Sequence, residues 1–403
     1  MRSNTWRAIM LLTLTLVLVS TAMDAQAARR SSLAGNQFIN DPDDMFAFPQ
    51  LTMKYKNRVI IDMVQGGDEG NASVVFGDNW VWNFNTGRSD YLTNTASWVW
   101  GGGDRSGGFG FANGTPGGNG SSGTSMEWWD LGGATHLGDT PFGFNISWAS
   151  DSYQEKPADT ALQADDFSSN MLSFQVGATL GSIDLVGEVG FGSYTDESVN
   201  PAPDPTDAND YSFFNFALLA RGDIEDFGGQ NWRWIAAFAN GSNDWKMTDA
   251  VSTSSMGFRG SFGPVWGTPG EWEVATYMSF DYFSHEMIGA TVDRKDKVSA
   301  TNFPSYNMAS EYYINSWLVV RGGIKSYNAS LTFTDELALP ATGEDEESGR
   351  VYAFNWTMGL GVDKGNWGLD LALNEDEVHS GYLPLNGDSD DDAIAYMTAW
   401  LSW

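Results

Sequence analysis

Residues 172–191 read LSFQVGATLGSIDLVGEVGF. Leu172, Phe174, Val176, Ala178 and Leu180 alternate with small or polar residues, and after Gly181-Ser182 the alternation resumes at Ile183, Leu185, Val189 and Phe191. Period two on both sides of a tight glycine-containing turn predicts a β-hairpin.

The same unit recurs on either side. Phe214, Phe216 and Leu218 lead through Gly228-Gly229-Gln230-Asn231 to Trp232, Trp234, Ala236 and Phe238. Met256, Phe258 and Phe262 lead through Gly263-Pro264 to Trp272, Val274, Thr276, Met278, Phe280 and Tyr282. Tyr306, Met308 and Tyr312 turn at Asn315 into Leu318, Val320 and Ile324, and Phe354 to Val362 turn at Asp363-Lys364-Gly365-Asn366 into Trp367 to Leu373. A last strand runs from about Asp392 to Trp403; upstream, Phe142 to Trp148, Trp80 to Phe84 and Val59 to Val64 each read as one more. The expectation is an all-β, antiparallel up-and-down transmembrane barrel of about 14 strands (12–16), each near ten residues long.

Connections alternate in length. Those near Gly181, Gly228, Pro264, Asn315 and Gly365 are short; those over 192–210, 241–254, 283–304, 328–349 and 375–391 are long. Short periplasmic turns and long external loops are the rule for bacterial barrels. Segment 87–141 fits this poorly, because fourteen strands place it on the periplasmic side. Its core, 101–124, is Gly, Ser and Asn in excess and reads as a loop, a linker or a partial lumen plug. Glu127-Trp128-Trp129 reads as the start of a short helix.

Composition fits export into a membrane. Arg2 and Arg7, the uncharged apolar run Ala8–Val19 and the small-x-small triplet Ala25-Gln26-Ala27 have the layout of a secretory signal peptide over 1–27. Residues 28–57 follow as a periplasmic or lumenal segment, then the barrel over 58–403. The chain has no cysteine, so disulfides do not hold it. Aromatic residues at 14% against charged residues at 18% are unusual for a water-soluble domain. A closed barrel satisfies its backbone within lipid without a helical span.

The ending Met397-Thr398-Ala399-Trp400-Leu401-Ser402-Trp403 places Met397, Ala399, Leu401 and Trp403 on one phase. It resembles the terminal strand of outer-membrane barrels, and that resemblance implies recognition by the barrel-assembly machinery. Asp184, Glu188, Arg221, Arg233, Arg259, Glu273, Asp281, Glu311, Arg321, Lys325 and Asp370 fall on the phase opposite the apolar residues. In a barrel that phase faces the lumen, since Arg or Lys on the lipid face costs about 2–4 kcal/mol at midplane. Six acids and five bases make the lumen nearly neutral. They read as a selectivity constriction or a salt-bridge network, with Arg221, Arg233, Arg259, Arg321 and Lys325 paired to Glu188, Glu273, Asp281 and Glu311.

The formal charge is −31. Its excess falls in predicted loops: Asp204, Asp207 and Asp210; Glu344 to Glu347; Glu375 to Glu377; and Asp388, Asp390, Asp391 and Asp392. The last four form a candidate external cation site, by which the loops would attract cations or bridge to lipopolysaccharide; equally they are a solvated surface. Lys and Arg clusters for nucleic acid are lacking. His136, His285 and His379 have no metal-ligand spacing and no readable nucleophile partner. No cofactor and no enzymatic activity are expected.

Residues 310–323 (SEYYINSWLVVRGG), with Met358-Gly359-Leu360-Gly361-Val362 and Trp367-Gly368-Leu369-Asp370, resemble the long-chain fatty-acid transporter superfamily and related secretion-associated barrels. The likeness spans about 70 residues. It implies fourteen strands, hydrophobic-substrate transport, and Glu311 and Arg321 as interior partners. Asn36–Leu51 does not match that superfamily's N-terminal plug motif. Two functions therefore stand open: a channel or transporter for small solutes, hydrophobic ones included, or a closed structural or surface-binding barrel. Lipid, lipopolysaccharide and a small-molecule solute are the expected partners.

Overall fold

The computed structural model describes residues 28–64, 70–88, 127–154, 166–196, 209–246, 251–289, 294–337, 345–373 and 394–403. Two short helices, α1 (Ala28–Ser32) and α2 (Asp44–Ala47), and a 3-10 helix (Pro49–Tyr55) precede sixteen strands. These are β1 (Arg58–Val64), β2 (Gly70–Gly77), β3 (Trp80–Arg88), β4 (Glu127–Leu137), β5 (Thr140–Gln154), β6 (Asp166–Leu180), β7 (Ile183–Asp196) and β8 (Asn209–Ile224). Then come β9 (Asn231–Lys246), β10 (Val251–Thr268), β11 (Trp272–Gly289), β12 (Arg294–Tyr313), β13 (Leu318–Leu337), β14 (Asp345–Asp363), β15 (Trp367–Leu373) and β16 (Ile394–Ser402). Every strand pairs antiparallel with its sequence neighbours, and β1 closes on β16, from Arg58 opposite Ser402 to Val64 opposite Tyr396. Closure gives every strand two neighbours.

The barrel therefore has sixteen strands, not fourteen. The two that the alternation missed are β2 and β4. In β4 the inward positions are Asp130, Gly132 and Ala134 and the outward ones include Gly133 and Thr135, so the apolar contrast between faces is faint. Glu127-Trp128-Trp129 opens this strand, not a helix. With these strands counted, the described residues that flank 89–126 do not lie on the expected periplasmic side. These two, Arg88 and Glu127, lie at the rim opposite the short turns at 78–79, 138–139 and 181–182.

The tall strands correct the loops as well. β10 to β14 run for 18 to 20 residues, through much of the sequence expected to be loop, so Asp210 and Asp345 to Glu347 sit within strands. At about 3.3 Å per residue such strands reach roughly 65 Å, beyond a hydrocarbon core of about 30 Å even when tilted. Above the lipid no apolar contrast is needed, and the pattern that reveals strands fades. Gly263-Pro264 is no turn: β10 continues to Thr268, and the ladder to β11 skips these two residues while the turn falls at 269–271. A proline, lacking an N–H, is tolerated where the ladder is broken.

The outer face exposes Phe174, Val176, Leu185, Val189, Phe214, Leu218, Met256, Phe258, Met278, Met308, Ile324, Phe354 and Leu360. Trp80, Trp272, Trp317, Trp367 and Trp403 ring the short-turn rim. A continuous apolar belt with an aromatic girdle is a surface for acyl chains rather than water. The buried core lies inside the barrel, where residues 28–57 occupy the lumen at its short-turn end. Phe38, Phe46, Phe48, Leu33, Ile39 and Met45 are its largest fully buried side chains.

Candidate functional site: the plugged lumen

Residues 28–57 form a plug with an apolar body and charged contacts. Leu33, Phe38, Ile39, Ala47, Phe48 and Leu51 pack on an arc of small and aliphatic wall residues, among them Val186, Leu219, Ile235, Ala275 and Ala309. Phe38 stacks on Tyr277 at 4.4 Å between ring centroids. Two wall glycines admit the plug's backbone. A methyl at Gly143 would overlap the backbone of Pro49 and Gln50, and one at Gly323 the backbone of Leu33 and Ala34.

Two ionic groups fasten this body. In one, Asp44 on α2 is fully buried, accepts from Arg221 Nη1 at 2.7 Å and is held on its other side by Arg30. Arg221 also reaches Asp184 at 3.3 Å and lies over the Phe48 ring. Burial alone would raise the Asp44 carboxyl, but Arg221 and Arg30 outweigh it and hold the group at about 2. In the other, Glu311 receives Arg29 at 2.8 Å and Arg321 at 2.6 Å, and Arg321 continues to Asp370 at 2.5 Å. Asn36 donates to Asn307, and Asn307 donates to the Ala34 carbonyl.

The other lumenal charges find partners both inside and outside the expected set. Arg233 pairs with Asp223 on its own wall, not Glu273, and donates to the Phe38 carbonyl of the plug. Arg259 pairs with Asp281 at 2.5 Å. Glu188 is buried and accepts from Ser173 at 2.8 Å. Glu273 stands opposite Glu311 in register, and Lys325 opposite Asn307 and Asn355. Met397, Ala399, Leu401 and Trp403 alternate with buried Thr398, and Leu401 and Trp403 are exposed on the outer face. Asp388, Asp390, Asp391 and Asp392 lie outside the described residues, as do His379 and residues 101–124.

No protein-family model matches the chain, and no curated protein sequence matches it. Among solved structures it is similar to the toluene transporter TodX of Pseudomonas putida, at 10% identity over 94% of this chain and 99% of that one, with a TM-score of 0.38. It is also similar to the ferric yersiniabactin uptake receptor FyuA of Yersinia pestis, at 7% identity and a TM-score of 0.38, over 62% of this chain and 44% of the receptor. The siderophore receptor PiuA of Acinetobacter baumannii gives 8% identity and a TM-score of 0.35, over 62% of this chain and 47% of the receptor. The matches thus span less than half the length of those two receptors. The fatty-acid transporter resemblance gains no family match, and the strand number it implied is replaced by sixteen.

Sequence reasoning paired the wall charges with one another and missed Arg29, Arg30 and Asp44, which join two wall clusters to the plug. A signal was present: Arg29-Arg30 directly follows the predicted cleavage site, and Asp41, Asp43 and Asp44 are interleaved with Phe38, Phe46 and Phe48. Charges set among aromatics point to a buried, paired environment. Among the described residues, no three His, Asp or Glu side chains cluster as a metal site.

Proposed function

We propose that this chain is an outer-membrane transporter for a small solute, closed at rest by residues 28–57. The observation that carries this reading is the manner of closure. The plug fills the lumen at one end, yet no disulfide ties it, and among the described residues one bond at Asn57 joins main chain to main chain, while the plug's other hydrogen bonds to the wall involve a side chain on at least one side. A stopper held by ion pairs and apolar packing can be displaced without breaking the barrel's ladder. The small and aliphatic arc of β7 to β12 then offers an apolar path beside the polar wall formed by Asn85, Asp130, Asn145 and Ser147. The leader over 1–27 would deliver the chain across the inner membrane.

Planar-bilayer recording tests this directly. Mature protein should give rare, brief openings, and deletion of 28–57 should give a persistent conductance of large amplitude. Silence from the folded deletion variant would end the transport reading. It would favour the second one, a closed structural or surface-binding barrel, which the depth of plug burial supports.

A further inference from the structure

Among the described residues, one buried carboxylate near the plug has no paired cation. Asp62 on β1 is 2% exposed, and its oxygens accept from Thr398 Oγ1 at 2.5 Å and Asn71 Nδ2 at 3.1 Å. Among the described residues no arginine or lysine forms an ion pair with it, whereas Asp44, Glu311 and Asp370 each have one. The Thr398 hydroxyl that donates to Asp62 accepts, in turn, the N–H of Ala28 at 2.8 Å in a buried contact. A single hydroxyl therefore separates the Ala28 nitrogen from an unneutralised carboxylate. Asp41 and Asp370 line the same small cavity as Thr398, and Asp41 Oδ2 is a buried acceptor with no hydrogen-bond partner.

The sequence supplies the other half. Ala25-Gln26-Ala27 is a cleavage site that ends on the residue before Ala28. We propose that cleavage after Ala27 makes the Ala28 nitrogen a buried α-ammonium, the counter-ion of Asp62, so that the processed N-terminus latches the plug to the closing seam. Hydrolysis breaks the Ala27–Ala28 peptide bond. The hydroxyl of water goes to the Ala27 carbonyl, and its hydrogen to the Ala28 nitrogen, which then takes up a proton from solvent. One amide N–H becomes three donors with a positive charge, since an α-amine with a pKa of about 7.7–8.0 is mostly protonated at neutral pH. The seam is where the first strand meets the last, so the latch joins plug, β1 and β16 at one point. Processing and sealing are then coupled, whichever solute the barrel carries and whether or not it transports at all.

The sign of one substitution separates this from a merely structural contact. If Ala28 contributed only an amide, Asp62→Asn would remove an uncompensated buried charge and leave the plug unchanged or tighter. With an ammonium present, the same change leaves that cation without its partner and loosens the plug. The experiment uses the mature barrel in detergent, with folding checked by heat-modifiable gel migration. An amine-reactive ester at neutral pH labels the N-terminus, and mass spectrometry reads the terminal peptide. Ala28 should be the first residue, and its amine should label at least tenfold more slowly in the folded barrel than in the denatured chain. Asp62→Asn should abolish most of that protection; Thr398→Val, which removes the bridging hydroxyl, provides a second variant should the first not fold. Inserting Gly between Ala27 and Ala28 displaces the charge by one residue and should cancel the effect of Asp62→Asn. A different N-terminal residue, equal labelling in folded and denatured states, or an Asp62→Asn barrel as well protected as the parent would each overturn the latch.

Discussion

Each wall strand is fastened to two neighbours by backbone ladders, fifteen register pairs long between β8 and β9 alone, whereas the plug meets the wall mostly through side chains. The ladder hardly depends on which residues carry it; the plug depends on a few. A substitution in the wall is averaged over many hydrogen bonds, while one in Arg30, Asp44 or Arg221 acts on one of only two ionic groups that fasten the plug among the described residues. On the proposed reading the barrel persists while the plug is dislodged, so the two should be separately perturbable.

The largest expected effect comes from Asp44→Ala. It leaves Arg30 and Arg221 buried without their shared carboxylate, and breaking a buried pair by removing one partner costs about 3–5 kcal/mol. Since 1.4 kcal/mol is tenfold, the open fraction should rise by roughly two to three and a half orders of magnitude. Single-channel recording measures this, and the barrel's own thermal transition should stay in place. A loss of barrel folding along with the plug would show that the two regions are not separable.

Acid should sharpen the same contrast. Asp44 titrates at about 2 when docked against an ordinary value of 3.8. A depressed carboxyl contributes stability that is present above its undocked pKa and is lost as pH falls through its docked one. Plug seating should therefore be constant from neutral pH down to about 4, weaken between about 4 and 2, and recover on neutralisation. Opening frequency recorded across that range reads the effect directly, and Asp44→Asn should reduce it, leaving the share carried by the Arg29–Glu311 pair. A release that begins near pH 6 would mean that other groups govern seating.

The difference between the regions also explains what could be read from the sequence. Period-two alternation belongs to each strand separately, so the hairpin at 172–191, the outward Met397-Ala399-Leu401-Trp403 phase and the inward Arg259 and Asp281 are all visible locally. β2 and β4 escaped because inward Val75 in β2 and Gly132, Gly133 and Ala134 in β4 blur the two faces. The plug has no period to detect. Asp44 meets Arg221 across 177 positions and Arg29 meets Glu311 across 282, and nothing in their local sequence encodes either partner. Charges on the wall were legible; the plug charges that complete them were not.

The smallest expected effect uses two glycines whose surroundings differ. In Gly143→Ala the new methyl would overlap the backbone of Pro49 and Gln50, which cannot rotate away as a side-chain tip would. Gly260 has nothing within 4 Å of the equivalent position, so Gly260→Ala meets open space on the outer face. Both sit in strands and pair through the ladder, and alanine is tolerated there, so neither should shift barrel unfolding by much. Overpacking costs about 1–3 kcal/mol, which for Gly143→Ala should appear as a roughly ten- to hundredfold rise in open probability while Gly260→Ala stays silent. Equal behaviour of the two would mean that the plug yields to the methyl at no cost, and that its fit against β5 contributes nothing to closure.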